Sequence, residues 1–249
     1  MIKILCIGNS FSEDAMKYLH AIAKCGGMEV KTVNLYIGGC PLIKHWKNAK
    51  SFRKAYDYQL NGERTGKKIS MRKALKSETW DYISFQQASY DSGVEESYYP
   101  YLTLLSEYAK KKSPGAVQLI HKTWAYEIDS IHDGFAKYER NQKLMFDSLS
   151  KAYKKAAEAI NAEIVPVGDV IQALRATKEF DYEKGGLSLC RDGFHLDYIY
   201  GRYAAAATWY EKVLKGNILE NSFIPEYNGI RADEALIEAI KRTVHEICS

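Results

Sequence analysis

The chain has 249 residues, with 35 basic and 31 acidic side chains, a formal net charge of +4, and 46% hydrophobic and 27% charged residues. This balance is ordinary for a globular protein and gives no reason to expect nucleic acid as a partner. No apolar run approaches the roughly 18 residues of a membrane span, so no membrane is expected either.

The predicted elements alternate. Ile2 to Ile7 reads as a buried strand, and Glu13 to Cys25 as a helix stopped by Gly26-Gly27. Val30 to Ile37 is a second strand, ending in Gly38-Gly39. Residues 41 to 78 read as helical in pieces, with a break near Asn61-Gly62. Tyr82 to Phe85 is a short strand, and Glu95 to Lys112 a helix ended by Pro114-Gly115. Ala116 to His121 is the fourth strand, Tyr138 to Ile160 a long helix, and Glu163 to Val167 the fifth strand. Val170 to Thr177, Tyr198 to Lys215 and Ala232 to Ile247 are further helices. Basic runs such as Lys110-Lys111-Lys112 read as solvated helix faces. Alternating short apolar strands and helices argue for a parallel sheet covered on both faces. The expected fold is a single α/β domain over residues 1–249, a three-layer α/β/α sandwich with a flavodoxin-like parallel sheet of about five strands. No linker or repeat divides it.

Five cysteines, Cys6, Cys25, Cys40, Cys190 and Cys248, form no CxxC pair. An odd count without metal spacing points to reduced thiols, no metal, and a cytoplasmic setting. Met1-Ile2-Lys3 leads straight into a strand without the marks of a signal peptide, although a signal already removed would leave no trace.

In a sheet of this kind ligands sit beyond the carboxyl ends of the strands. Ser10, Gly39 and Gln86-Gln87 each follow a predicted strand end and are expected on one rim. A serine hydroxyl needs a base to become a nucleophile, and the base is usually a histidine held by a carboxylate. Of the six histidines only His195 supplies its own acid, since Asp192 precedes it by three residues across a glycine in "CRDGFHLD". Taken alone, Ser10 would be a helix cap, with Ser12 the better candidate for that role, and Asp192-Gly193 an ordinary turn.

"GNSFS" at 8–12 resembles the first block of the SGNH (GDSL-like) hydrolase superfamily, and "DGFHLD" resembles its last, D-x-x-H block. "NLYIGGC" at 34–40 resembles the second block, with Gly39 at its final glycine and Tyr36 in place of its first. "WDYISFQQAS", "TWAY" and "GGCPLIKHW" further resemble a little-characterised bacterial branch. The resemblance implies Ser10 as nucleophile, His195 as base, Asp192 as orienting acid, and the Ser10 and Gly39 N–H groups in an oxyanion hole. The third block departs from the family: Tyr90 falls where the asparagine donor would be. Either Gln86 or Gln87 replaces that amide, or the hole has two donors only. Alternation along the strand puts the two glutamines on opposite faces, and Gln86 is the favoured donor.

The resulting expectation is a serine esterase without cofactor, acting on a small-molecule or oligosaccharide ester. The 19 tyrosines tilt the substrate towards an O-acetyl group on carbohydrate, because tyrosine pairs an apolar ring with a polar tip. His45, Ser89 and Trp124 are candidate substrate contacts, although core packing explains Trp124 equally well. The alternatives are a carbohydrate-binding protein with lost catalysis, or a lipase- or thioesterase-type acyl hydrolase. A nucleotide-binding loop is disfavoured by the lack of G-x-G-x-x-G, and an α/β-hydrolase by the lack of G-x-S-x-G.

Overall fold

The computed structural model describes all 249 residues. Seven strands, β1 (Ile2–Gly8), β2 (Val30–Tyr36), β3 (Tyr56–Leu60), β4 (Glu63–Ile69), β5 (Tyr82–Phe85), β6 (Val117–His121) and β7 (Glu163–Val165), form one sheet in the order β4-β3-β2-β1-β5-β6-β7. The five strands β2-β1-β5-β6-β7 run parallel, which is the expected flavodoxin-like set. Strand β1 lies at the centre. Ile4, Leu5, Cys6 and Ile7 are almost wholly buried, as a strand covered on both faces requires.

The other two strands correct the sequence reading. Helix α3 (Leu42–Ser51) ends after one predicted piece, and the chain then makes the antiparallel hairpin β3–β4 on the edge of the sheet. Its turn is Asn61-Gly62, both with positive φ, the geometry that a two-residue hairpin loop demands. The first predicted helix is two, α1 (Ser10–Met16) and α2 (Leu19–Cys25). It begins three residues earlier than expected, so Ser10 belongs to the helix itself.

After β4 come α4 (Met71–Lys76), α5 (Tyr101–Lys112), α6 (Gln142–Ile160), α7 (Val167–Leu174), α8 (Tyr200–Lys212) and α9 (Glu234–Cys248). Helices α3 to α6 pack together on one side, while α8 contacts α1, α2, α7 and α9 on the other. Every residue of α8 from Gly201 to Tyr210 is buried, and its Ala204–Ala207 run lets neighbours approach closely. A short hairpin, β8 (Glu226–Tyr227) and β9 (Ile230–Arg231), precedes α9. No helix is long and apolar enough to cross a membrane.

Two core histidines carry no charge. His45 is buried against Tyr56, whose hydroxyl lies 3.0 Å from its Nδ1. Trp209 Nε1 donates to Nδ1 of the buried His121 at 3.0 Å. Burial pulls both rings from their ordinary 6.5 down to about 3, Lys44 adding to the effect at His45. The unfolded chain takes up these protons near 6.5 and the folded one only near 3, so stability falls as pH is lowered through that window. The loss is up to about 1.4 kcal/mol per pH unit for each ring. Urea unfolding at stepped pH should show this slope, and a His45→Gln/His121→Gln variant should flatten it. An unchanged slope in that variant would refute the assignment.

Candidate active site

The last residue of β1 is glycine because a side chain there has no room: an added Cβ would lie 2.3 Å from Ser12 Oγ and 3.0 Å from Gln86 Oε1. Asn9 then caps α1, its Oδ1 accepting from the Phe11 N–H at 3.0 Å. The expected cap, Ser12, instead packs its hydroxyl between the Asn9 carbonyl and Asn34 Oδ1. With Asn9 as cap, Ser10 is the first helical residue. Its N–H is one of those that a helix start leaves without an intrahelical acceptor. Asn9 is itself held by Gln86, whose Nε2 donates to Oδ1 at 2.8 Å, and by its own Nδ2 on the Cys40 carbonyl at 3.3 Å. Asn9→Ala should therefore destabilise the fold by more than the ~1 kcal/mol of an ordinary cap, since it also strands the buried Gln86 amide. Thermal or urea melts of that variant measure it, and a wild-type midpoint would count against the cap.

The distant histidine meets this helix start. His195 Nε2 lies 2.9 Å from Ser10 Oγ, and its Nδ1 lies 2.7 Å from Asp192 Oδ2. A carboxylate only accepts, so Nδ1 carries the proton and Nε2 is left to accept from the Ser10 hydroxyl. The second Asp192 oxygen accepts from the backbone N–H groups of His195 (2.8 Å) and Phe194 (3.2 Å). Burial alone would raise the Asp192 carboxyl. The hydrogen bonds from the His195 ring and from the two backbone N–H groups, together with the His195 charge, outweigh it and leave the group below its ordinary value. The loop is braced from outside by Glu127, whose N–H donates to the Gly193 carbonyl at 2.7 Å.

Gly39 follows the carboxyl end of β2, next to Cys40, whose carbonyl accepts from Asn9 Nδ2. Gly39 has a φ of +57°, the left-handed conformation that favours glycine, and its N–H makes no internal hydrogen bond. Tyr90 donates from its hydroxyl to the Gly39 carbonyl at 3.2 Å, fixing that peptide. From there an aromatic arc closes the rim. Tyr90 faces His132 at 6.5 Å, His132 meets Phe194 at 4.8 Å, and Phe194 lies on His195 at 4.1 Å between ring centroids. His132 Nδ1 accepts from the Gly134 N–H at 2.9 Å, which leaves its Nε2 as a donor. Nothing in the sequence singled out His132. Phe194 sits inside the D-x-x-H block, and Tyr90 at the position of the missing asparagine.

Five expectations need correction. Gln86 and Gln87 are both buried and bonded to the protein instead of facing the substrate. Gln86 serves Asn9, and Gln87 spends its Nε2 on the Ser97 carbonyl and hydroxyl while its Oε1 accepts from the Leu42 and Ala88 N–H groups. His45 lies in the core on Tyr56, out of reach of substrate. Ser89 is buried with its hydroxyl 2.8 Å from that of Tyr126. Trp124, wholly buried, stacks on Phe11 at 4.2 Å and donates from Nε1 to the Phe194 carbonyl at 2.8 Å. It thus joins the residue after Ser10 to the residue before His195. All five cysteines are free thiols, Cys6 pushed up to about 12 by burial.

A serine at the end of the central strand, facing an Asp-x-x-His loop ahead of the last long helices, sits here on the fold of the SGNH hydrolases. A protein from Slackia heliotrinireducens described as an SGNH hydrolase superposes with a TM-score of 0.57 at 24% identity, over 84% of this chain and 97% of that one. An acetylxylan esterase from Geobacillus stearothermophilus superposes with a TM-score of 0.51 at 12% identity, over 84% and 93%. The chain belongs to the DUF4886 family, a domain of unknown function, whose model matches residues 3–242. A DUF4886 family protein from Bacteroides uniformis is 38% identical and superposes with a TM-score of 0.88 over 98% of this chain and 93% of that one. No curated protein matches the sequence.

Proposed function

We propose that the protein is a serine esterase that removes an O-acyl group, an O-acetyl group in the first instance, from a carbohydrate. The observation that carries this reading is the unbroken relay Ser10–His195–Asp192, at 2.9 and 2.7 Å, on the rim of the parallel strands. His195 takes the Ser10 proton as Oγ attacks the ester carbonyl, and Asp192 stabilises the imidazolium that forms. The Ser10 and Gly39 N–H groups are the oxyanion donors, each typically contributing a few kcal/mol to the transition state. His195 then returns the proton to the departing alcohol, leaving an acyl-Ser10. Water, deprotonated by the same ring, hydrolyses that ester and frees Ser10.

Two features support a sugar ester. The arc of Tyr90, His132 and Phe194 offers apolar faces with polar edges beside the relay, a surface suited to a pyranose ring. Among proteins of this fold, one acts on acetylated xylan. Hydrolysis of p-nitrophenyl acetate, butyrate and octanoate, beside acetylated xylo-oligosaccharides, tests the reading. Turnover should be greatest on acetate and on the acetylated sugar. A preference for octanoate would turn the reading towards a lipase or thioesterase, and no turnover on any ester would refute it.

A further inference from the structure

Helix α1 carries a second group that reaches the His195 loop. Asp14 lies four residues after Ser10, on the same face, and is wholly buried. Its Oδ2 accepts from the Leu196 N–H at 3.0 Å, its Oδ1 from Arg202 Nε at 2.8 Å, and each oxygen from Arg191 Nη1 at 3.1 Å. Burial raises the Asp14 carboxyl from its ordinary value and the charges of Arg202 and Arg191 oppose that rise; every one of its contacts comes from a donor, the pattern that suits the ionised form.

These partners bracket the triad loop. Arg191 immediately precedes Asp192, and Leu196 immediately follows His195. Arg191 also closes the loop on itself: its backbone N–H donates to the His195 carbonyl at 2.9 Å, and its guanidinium to the Leu196 carbonyl. Both guanidinium groups rest on the Tyr198 ring, at 4.7 and 4.8 Å, which limits how far they can swing. Arg202 belongs to α8, the buried helix under the loop.

A buried ion cluster is a costly way to join two segments, and apolar side chains of similar volume would often hold them at least as strongly. What apolar packing lacks is direction. The relay needs direction, because a 1 Å error between nucleophile and base can cost about a hundredfold in rate. Ser10 and Asp14 are fixed to each other by one helical turn. Fixing Asp14 to Leu196 and Arg191 therefore fixes Ser10 relative to His195.

We propose that Asp14, acting through Leu196 and Arg191, is a positioning residue that sets the Ser10–His195 separation. The proposal rests on the esterase reading for its effect on rate, and it separates from that reading by experiment. Asp14→Asn keeps the shape and removes the charge. It should lower kcat on p-nitrophenyl acetate by about 10- to 100-fold with KM unchanged. Arg191→Ala leaves Asp14 paired with Arg202 and should give a smaller loss of the same kind, which serves if Asp14→Asn does not fold. The decisive readout is a double-mutant cycle with His195→Ala. An effect that passes through His195 vanishes when that ring is gone, so the residual rates of His195→Ala with and without Asp14→Asn should coincide. A loss that multiplies in that background, or a wild-type kcat in both single variants, overturns the proposal. Inactive wild-type protein would refute the esterase reading instead. The crystal structure of the folded variant then decides for Asp14: a Ser10–His195 contact lengthened from 2.9 Å supports the proposal, and an unchanged one overturns it.

Discussion

Ser10→Ala should abolish ester hydrolysis and leave the fold as stable as before. The side chain is only partly buried, and the Oγ hydrogen bond it makes is to His195, so its removal opens no core cavity and strands no wholly buried group. The melting midpoint should stay close to that of the parent, as surface-type substitutions usually change stability by about 0.5 kcal/mol or less. The rate should fall by about 10⁶-fold, the loss seen when a triad serine is deleted, because without the nucleophile only binding and the oxyanion donors remain. A fluorophosphonate should form one adduct on the wild-type chain, at Ser10, and none on the variant. An adduct on a different serine, or activity retained in Ser10→Ala, would move the nucleophile elsewhere.

The placement of that serine was legible because it depends on local pattern. An apolar run ending in glycine, followed by polar residues and a helical period, marks a strand end wherever it occurs, and the same logic placed Gly39 and the pair at 86–87. The Asp192–His195 relation is also local, three residues across one turn. What joins these pieces was not legible. Gln86 is aimed inward at Asn9 and not outward, and nothing in the stretch "SFQQAS" distinguishes the two directions. Asp14 looks like an ordinary surface acid in "SEDAM" until Arg191 and Arg202, some 180 residues away, enclose it.

The edge hairpin was missed for a different reason. Its β4 strand, ERTGKKI, is exposed on both faces and therefore has no apolar alternation to detect. Its partner, YDYQL, does alternate, and Asn-Gly is a strong two-residue hairpin signal, so half of the hairpin was readable. The hairpin also matters to the site. Asn34 bonds Gln59 across the β2–β3 pair at 2.8 Å, and Gln59 bonds Glu13 of α1 at 2.6 Å, tying the added strands to the helix that carries Ser10.

Asp192→Asn is the sharper test of the relay, because it alters a proton and almost no geometry. The amide oxygen can still accept from the His195 and Phe194 N–H groups, so the loop should keep its shape. The other atom becomes an NH₂ facing His195 Nδ1, where a carboxylate oxygen now lies at 2.7 Å. Two donors cannot face each other, so the ring proton moves to Nε2, and the atom that should accept from Ser10 is blocked. The expected loss is about 10⁴-fold in kcat, with an unchanged melting midpoint. Hydrogen bonds from the His195 ring and from the His195 and Phe194 N–H groups hold the Asp192 carboxyl below its ordinary range despite partial burial. If Asp192→Asn lost only about tenfold in rate, the carboxylate would be bracing the loop without choosing the tautomer, since fixing the tautomer is what the larger factor reports.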